Sequence, residues 1–284
     1  MNRMTNNDTL TRLKQTQGFM FDMDGTLVLG NKSNTGLQPL PGAVEFLQYL
    51  NDTGIPYVLL TNGTARPAEA YEPMLKEAGL PLRNGITMTP STVATEYFLR
   101  RGYQRILVLG CEGVWRPLAD AGIEVLLPSD RPAGDIDAVY VGWYREFVLS
   151  DLDSACDAVW NGAKLYSASM VPFFASAGGR AIGSSYVIAG MISKLTGTRT
   201  KTLGKPSMEA MRSVKRRVGV RMENIAVVGD DPQLEVPLAH RGKALAVAVH
   251  TGLATAADFA AMPDGKAPHL SLSGVDELLA LYRD

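Results

Sequence analysis

The chain has 284 residues, 46% of them hydrophobic, with 28 basic and 29 acidic side chains and a formal net charge of -1. That is enough apolar material for one large or two modest cores, and the even charge leaves no basic footprint for nucleic acid or an anionic membrane. Two cysteines, Cys111 and Cys156, make no disulfide framework, and three histidines are too few for a zinc site of the usual His/Cys kind.

In chain order, short apolar runs alternate with longer amphipathic ones, the pattern of an α/β fold. The first segment, "MNRMTNNDTLTRLKQTQ", is polar and lacks the apolar stretch of a signal peptide. Strands are predicted at 18–23 and 56–60. Between them Pro41 opens a helix with Val44, Phe46, Leu47 and Leu50 on one side, closed by Gly54. A second helix follows Arg66-Pro67 and stops near Gly79. Buried strands are predicted at 105–110, 137–142 and 163–168, with helices at about 91–101, 112–121 and 150–161. Helices at 185–196 and 207–218, strands at 224–230 and 243–249, and a helix in "GVDELLALY" complete the chain. No apolar run approaches the ~18 residues of a membrane helix, and a cytoplasmic location is expected. "LPLRNGI" (80–86) and "SAGGRAIGSS" (176–185) read as linkers. They bracket an expected insert, 84–182, between two parts of one core, 1–83 and 183–284.

Chemistry collects at predicted strand ends. The first strand ends in Asp22-Met23-Asp24-Gly25-Thr26 and the second in Thr61-Asn62-Gly63. A loop carries Gly204-Lys205-Pro206, and a late strand ends in Gly229-Asp230-Asp231. In open α/β sheets ligands bind outside the carboxyl ends of strands. The hard oxygens of Asp22 and Asp230 suit Mg²⁺. Lys205 and the Thr61 hydroxyl suit phosphate oxygens, and an aspartate can attack phosphorus. Each piece alone has an ordinary explanation, since Asp-Gly and Asn-Gly usually mark turns. Four such pieces, each at the end of its own strand or loop, are harder to dismiss. Competing motifs fit less well. "GTRTKTLGKP" has its glycines misplaced for a P-loop and Pro206 after the lysine. "GGRAIG" breaks the dinucleotide pattern, and Ser184-Ser185 has no histidine nearby in sequence for a triad.

The ordered set "DMDGT", "TNG", "GKP" and "GDD" resembles the haloacid dehalogenase-like (HAD) phosphatases. The closer likeness is to the group with a large α/β cap inserted between the second and third motifs, which includes nitrophenyl-phosphate, nucleotide, phosphoglycolate and pyridoxal-phosphate phosphatases. "LPGAVEFLQYL", "VGWYREF" and "LTGTRTKTLGKPSMEAM" also look like stretches of that group. The resemblance implies a Rossmann-like parallel-sheet core with an inserted α/β cap. It implies Asp22 as nucleophile and Asp24 as general acid, then base. Thr61, Asn62, Gly63 and Lys205 would hold the phosphoryl group. Mg²⁺ would lie on Asp22, the Asp24 carbonyl and Asp230. The expected reaction is Mg²⁺-dependent hydrolysis of small phosphomonoesters, sugar phosphates among them, through an aspartyl-phosphate. The expected partner is a small phosphorylated metabolite, with no nucleic acid or membrane, and a homodimer through the cap.

The sequence also departs from the group. Leu234 and Glu235 stand where a Thr-Asp pair is usual, and Glu235 could still accept a bond from Lys205 or a metal-bound water, with a longer reach. Ser169-Met170-Val171 replaces an Asn-Pro-Asp in the cap, and Tyr144 stands where an aspartate is common. Two other readings use the same residues. A phosphomutase or other phosphotransferase would pass the phosphoryl group to a hydroxyl. A regulatory protein would bind a phosphate ligand without useful turnover. A receiver-type signalling domain would leave Asp24 unexplained.

Overall fold

The computed structural model describes residues 6–30, 36–130, 134–176 and 179–283. The chain divides into two compact units. Unit 1 comprises Met1–Thr61, Tyr71–Thr87 and Lys205–Asp284; unit 2 comprises Asn62–Ala70 and Met88–Gly204.

The first stretch holds α1 (Asn6–Lys14), β1 (Gly18–Phe21), β2 (Val28–Leu29), β3 (Gln38–Pro39), α2 (Ala43–Thr53), β4 (Tyr57–Leu60), α3 (Ala68–Glu77) and β5 (Thr87–Met88). Next come α4 (Pro90–Arg101), β6 (Arg105–Leu109), α5 (Glu112–Asp120), β7 (Glu124–Leu126), β8 (Ala138–Val141), α6 (Leu149–Trp160) and β9 (Lys164–Ser167). Then follow β10 (Phe173–Ser176), β11 (Gly179–Ile182), α7 (Ser184–Thr196) and β12 (Lys201–Thr202). The last stretch holds α8 (Met208–Val218), β13 (Ile225–Gly229), α9 (Glu235–Gly242), β14 (Leu245–Val249), α10 (Ala256–Ala260), β15 (Leu270–Leu272) and α11 (Val275–Arg283).

Unit 1 is built on a six-stranded sheet in the order β15-β14-β13-β1-β4-β5. β1 pairs in parallel with β13 on one side and β4 on the other, with Phe19 opposite both Ala226 and Tyr57. The strand order therefore reverses direction at β1, the position where open α/β sheets place their ligand crevice. β1, β4, β13 and β14 are buried along their whole length, as strands covered on both faces must be. α2 lays Ala43, Phe46, Leu47 and Leu50 against this core and ends at Gly54 in the left-handed conformation (φ 72°). Phe46 meets Phe19 and Phe21 edge-on at ring separations of 5.2 and 5.4 Å.

Unit 2 has a five-stranded sheet in the order β12-β9-β8-β6-β7, parallel at every pairing. Leu107, Leu109, Val139, Val141 and Leu165 form its core with Leu152 and Cys156 of α6 and Ile188 and Ile192 of α7. An antiparallel hairpin, β10–β11, belongs to the same unit.

Both expected boundaries move. The expected end of the first core part, residue 83, lies too early. The Glu72 carboxylate accepts the Gly85 and Thr87 N–H groups at 3.0 and 3.1 Å, and Asn51 bonds the Pro81 carbonyl at 2.6 Å. These bonds hold "LPLRNGI" to unit 1, so it is not a linker. The expected return to the core at 183 is also too early. α7 packs on the unit 2 core, and β12 pairs with β9, so the chain stays in unit 2 as far as Gly204. The second expected linker, 176–185, supplies β11 and the start of α7 instead; its residues 177–178 lie outside the described residues. The polar first segment contains a nine-residue helix whose Leu13 is fully buried in the unit 1 core. No helix among the described residues is long and apolar enough to cross a membrane.

Candidate active site

Asp22 follows the last residue of β1, where its backbone N–H still bonds the Val228 carbonyl at 2.9 Å. The neighbouring strand β13 ends at Gly229, which delivers Asp230 and Asp231 to the same sheet edge. β4 ends at Leu60, which places Thr61, a buried residue, at the corresponding end of the strand on the other side of β1. Three parallel strands that stop in register thus bring residues 22, 61 and 230 to one edge.

Lys205 enters this edge from the connection that precedes α8. Its side chain is 1% exposed and its ammonium bonds an Asp22 oxygen. The same ammonium lies 2.7 Å from a Glu235 carboxylate oxygen, on a residue also 1% exposed, in the first turn of α9. Burial works against the charged lysine, but Asp22 and Glu235 outweigh it and hold the ammonium above the ordinary lysine range. The reach that Glu235 needed, in place of the shorter aspartate usual there, is made. Its acceptor oxygens also take the Asp231 N–H at 3.1 Å. The close fit of Glu235 against Gly229 leaves no room for a side chain at that glycine.

Asp24 lies in the turn after β1. Burial first, then the nearby Asp22 charge, push its carboxyl up to about 6. One oxygen of this carboxyl, Oδ1, is buried without a hydrogen-bond partner. Asp230 is likewise pushed up to about 6, by burial and by Asp22, although the Leu253 N–H bonds its Oδ2 at 2.9 Å. Burial also raises Asp231. Gly25 adopts φ 78°, and a Cβ there would stand 2.6 Å from Asp230 Oδ2. Only a glycine tolerates both demands.

Among the described residues, Lys205 is a cation whose field reaches Asp24, Asp230, Asp231 and Glu235. The Asp22 charge raises the cost of ionising Asp230, and Asp24 Oδ1 has no donor. A small hard cation between Asp22 and Asp230 would relieve the first. No group of three His, Cys, Asp or Glu side chains among the described residues is arranged to hold a metal. The carboxylates of Asp22 and Asp230, with main-chain and water oxygens, are donors of the kind Mg²⁺ takes.

The structure gathers Asp22, Asp24, Lys205 and Asp230 into one network within unit 1, with Glu235 joined to it. Thr61 is the last residue of its stretch in that unit. Asn62 and Gly63 begin the 62–70 stretch of unit 2. There Thr64 Oγ1 accepts the Trp143 N–H at 3.0 Å. The sequence reading missed the loop after β14. Thr251 Oγ1 donates to the Gly25 carbonyl at 2.6 Å, and Gly252 approaches Asp230 so closely that a Cβ would overlap its carboxylate. "VHTGL" at the end of a buried strand was the available signal, of the same type as "TNG".

Comparison with known proteins shows what the chain is similar to. Residues 19–124 match the family model described as haloacid dehalogenase-like hydrolase, and residues 202–278 match a second, HAD-hydrolase-like model. Together the two span well over half of the chain. An acid sugar phosphatase of Staphylococcus epidermidis is 25% identical over 219 residues, 77% of this chain and 80% of that protein. A nitrophenylphosphatase structure from Geobacillus stearothermophilus superposes with TM-score 0.79 at 25% identity, over 93% of this chain and 98% of that one. The 4-nitrophenylphosphatase of Thermotoga maritima superposes with TM-score 0.84 at 24% identity, over 95% of this chain and 99% of that chain, a likeness of fold.

Proposed function

This chain belongs to the haloacid dehalogenase-like hydrolases, and from that premise we propose that it hydrolyses small phosphomonoesters, sugar phosphates among them, through an aspartyl-phosphate on Asp22. The observation that carries the reading is the division between the two acids of the first motif. Asp22 is paired with a buried ammonium, whereas Asp24, two residues on, is pushed up to about 6. Two neighbouring carboxyl groups in such different surroundings, one on a buried ammonium and one buried without a donor to Oδ1, are suited to different tasks.

On this reading the Asp22 oxygen not bonded to Lys205 attacks phosphorus, and the bond from phosphorus to the ester oxygen breaks. Asp24 gives its proton to that oxygen, so the product leaves as an alcohol. Asp24 then takes a proton from water, and the resulting oxygen attacks the aspartyl-phosphate. Inorganic phosphate leaves and the Asp22 carboxylate is restored. Lys205 and the Thr61 hydroxyl hold the phosphoryl oxygens in line throughout. Mg²⁺, held by Asp22, Asp230 and the Asp24 carbonyl, would supply the charge that lets one anion approach another. The names of the relatives, an acid sugar phosphatase and a nitrophenylphosphatase, support small esters as the substrate class. Unit 2 is then the inserted cap of the family.

Phosphate release from a panel of esters, with and without Mg²⁺, tests the reading when Asp22→Asn is run beside the wild type. Release by the wild type alone, and only with Mg²⁺, is expected. Equal release by both proteins would sink Asp22 as nucleophile, and transfer to a second hydroxyl without free phosphate would establish a mutase.

A further inference from the structure

We infer that the three-residue loop Thr251-Gly252-Leu253 is a positioning element that holds the Asp24 turn and Asp230 in a common frame for the cation. The inference rests on the phosphatase reading above and names residues that reading does not use.

Three contacts carry it. The Thr251 hydroxyl donates to the Gly25 carbonyl at 2.6 Å and so orients the peptide one residue beyond Asp24. That turn is closed from its other side by the Gly25 N–H on the Val28 carbonyl at 2.8 Å. The Leu253 N–H bonds Asp230 Oδ2 at 2.9 Å and so restrains the carboxylate. Between them Gly252 packs against both partners. A side chain on Gly252 would overlap Asp230, and a Cβ on Gly25 would stand 2.9 Å from Gly252 Cα. One loop therefore touches the turn that carries Asp24 and the carboxylate of Asp230, which come from sequence positions more than two hundred residues apart.

The loop is itself pinned at both ends. The His250 N–H bonds the Leu272 carbonyl at 3.1 Å, and its ring bonds the Ser271 hydroxyl at 2.8 Å. Beyond it Thr255 caps α10 in a reciprocal arrangement with Asp258. A short segment fixed at both ends transmits little slack. Groups that orient ligands in this way typically matter about 10–100-fold in metal affinity when removed.

Thr251→Val keeps the shape of the side chain and removes the donor, and Thr251→Ser restores the donor. Metal binding is read without turnover, by Mn²⁺ titration followed by electron paramagnetic resonance and by the melting-temperature rise that Mg²⁺ gives the substrate-free protein. Thr251→Val is expected to bind Mn²⁺ about 10-fold more weakly or worse, with the Mg²⁺-dependent rise shrinking in step, and Thr251→Ser to stay within about 3-fold of wild type. Gly252→Ala, which pushes on Asp230 directly, is expected to lose at least as much. Wild-type Mn²⁺ affinity in Thr251→Val would overturn the inference, even if the metal-free melting temperature fell, because that pattern marks a purely structural bond. The phosphatase reading fails separately, and takes the inference with it, if the wild type neither binds Mn²⁺ nor releases phosphate.

Discussion

Lys205 offers the sharpest test of how the acid cluster is held. Replacing it with methionine keeps most of the buried volume and removes the ammonium that Asp22 and Glu235 share. Breaking a buried pair by removing one partner typically costs about 3–5 kcal/mol, because the other charge stays behind without compensation. Here two carboxylates stay behind, but each can take up a proton, so the lower end of the range applies, about 3 kcal/mol. For a unit of this size that corresponds to a fall in melting temperature of about 6–12 °C. The pH dependence carries a second signature. A carboxyl whose folded pKa lies above its unfolded value binds a proton in the native state while the unfolded chain has released it. Stability then rises as pH falls. Burial already pushes Glu235 upward with Lys205 present, and removing the ammonium takes away the charge that opposes it. The Lys205→Met deficit should therefore shrink when pH is lowered from 8 to 5. Lys205→Met/Glu235→Gln should recover part of the loss at pH 7–8, measured by thermal unfolding across pH. A melting temperature within about 2 °C of wild type, with no added pH dependence, would refute the argument that this ammonium compensates two buried charges.

Three further outcomes are expected. Asp24→Asn should lower phosphate release by about 10²–10⁴-fold, while the melting temperature holds or rises, because a buried carboxyl pushed up to about 6 has been replaced by a neutral amide. His269 is depressed to about 4 by burial, with Arg12 and His240 adding to the effect. The unfolded chain therefore binds its proton first, and stability is lost as pH falls from about 6.5 to 4. We expect about 1–2 kcal/mol, less than the full shift because part of the ring meets water, and His269→Gln should flatten this limb of the denaturation profile. Gly42 has φ 78° and lies against the Asp276 backbone, where a Cβ would overlap it. Gly42→Ala should cost at least about 2 kcal/mol from left-handed strain and overpacking, read as a lowered urea midpoint.

Much of this protein was legible from local pattern. "FMF", "YVLL", "RILVL", "AVYV" and "LAVAV" are continuous apolar runs, and strands buried on both faces have to read that way. Their carboxyl ends carry Asp22, Thr61 and Asp230, and parallel pairing on both sides of β1 places those ends together without further information. The amphipathic spacing of α2 and its glycine stop are equally local. The site chemistry followed from residue type, since paired acids, a lysine and a hydroxyl at strand ends admit few roles.

Other features were decided only by contacts distant in sequence. β12 is two residues long and carries no strand signal of its own; pairing with β9 keeps it, and everything back to α7, in unit 2. "LPLRNGI" reads as a linker until Glu72, thirteen residues before Gly85, supplies acceptors for its N–H groups. Asn62 and Thr61 are neighbours in a motif, yet the fold assigns them to different units. Glu235 reads as a departure until its longer side chain is found on Lys205. Thr251 reads as one hydroxyl among many until Gly25, 226 residues away, presents its carbonyl. Local periodicity encodes burial, so the sequence by itself determined the elements and the residues at their ends. A hydrogen bond or ion pair leaves no periodic trace, so the tertiary structure alone decided which of those residues meet.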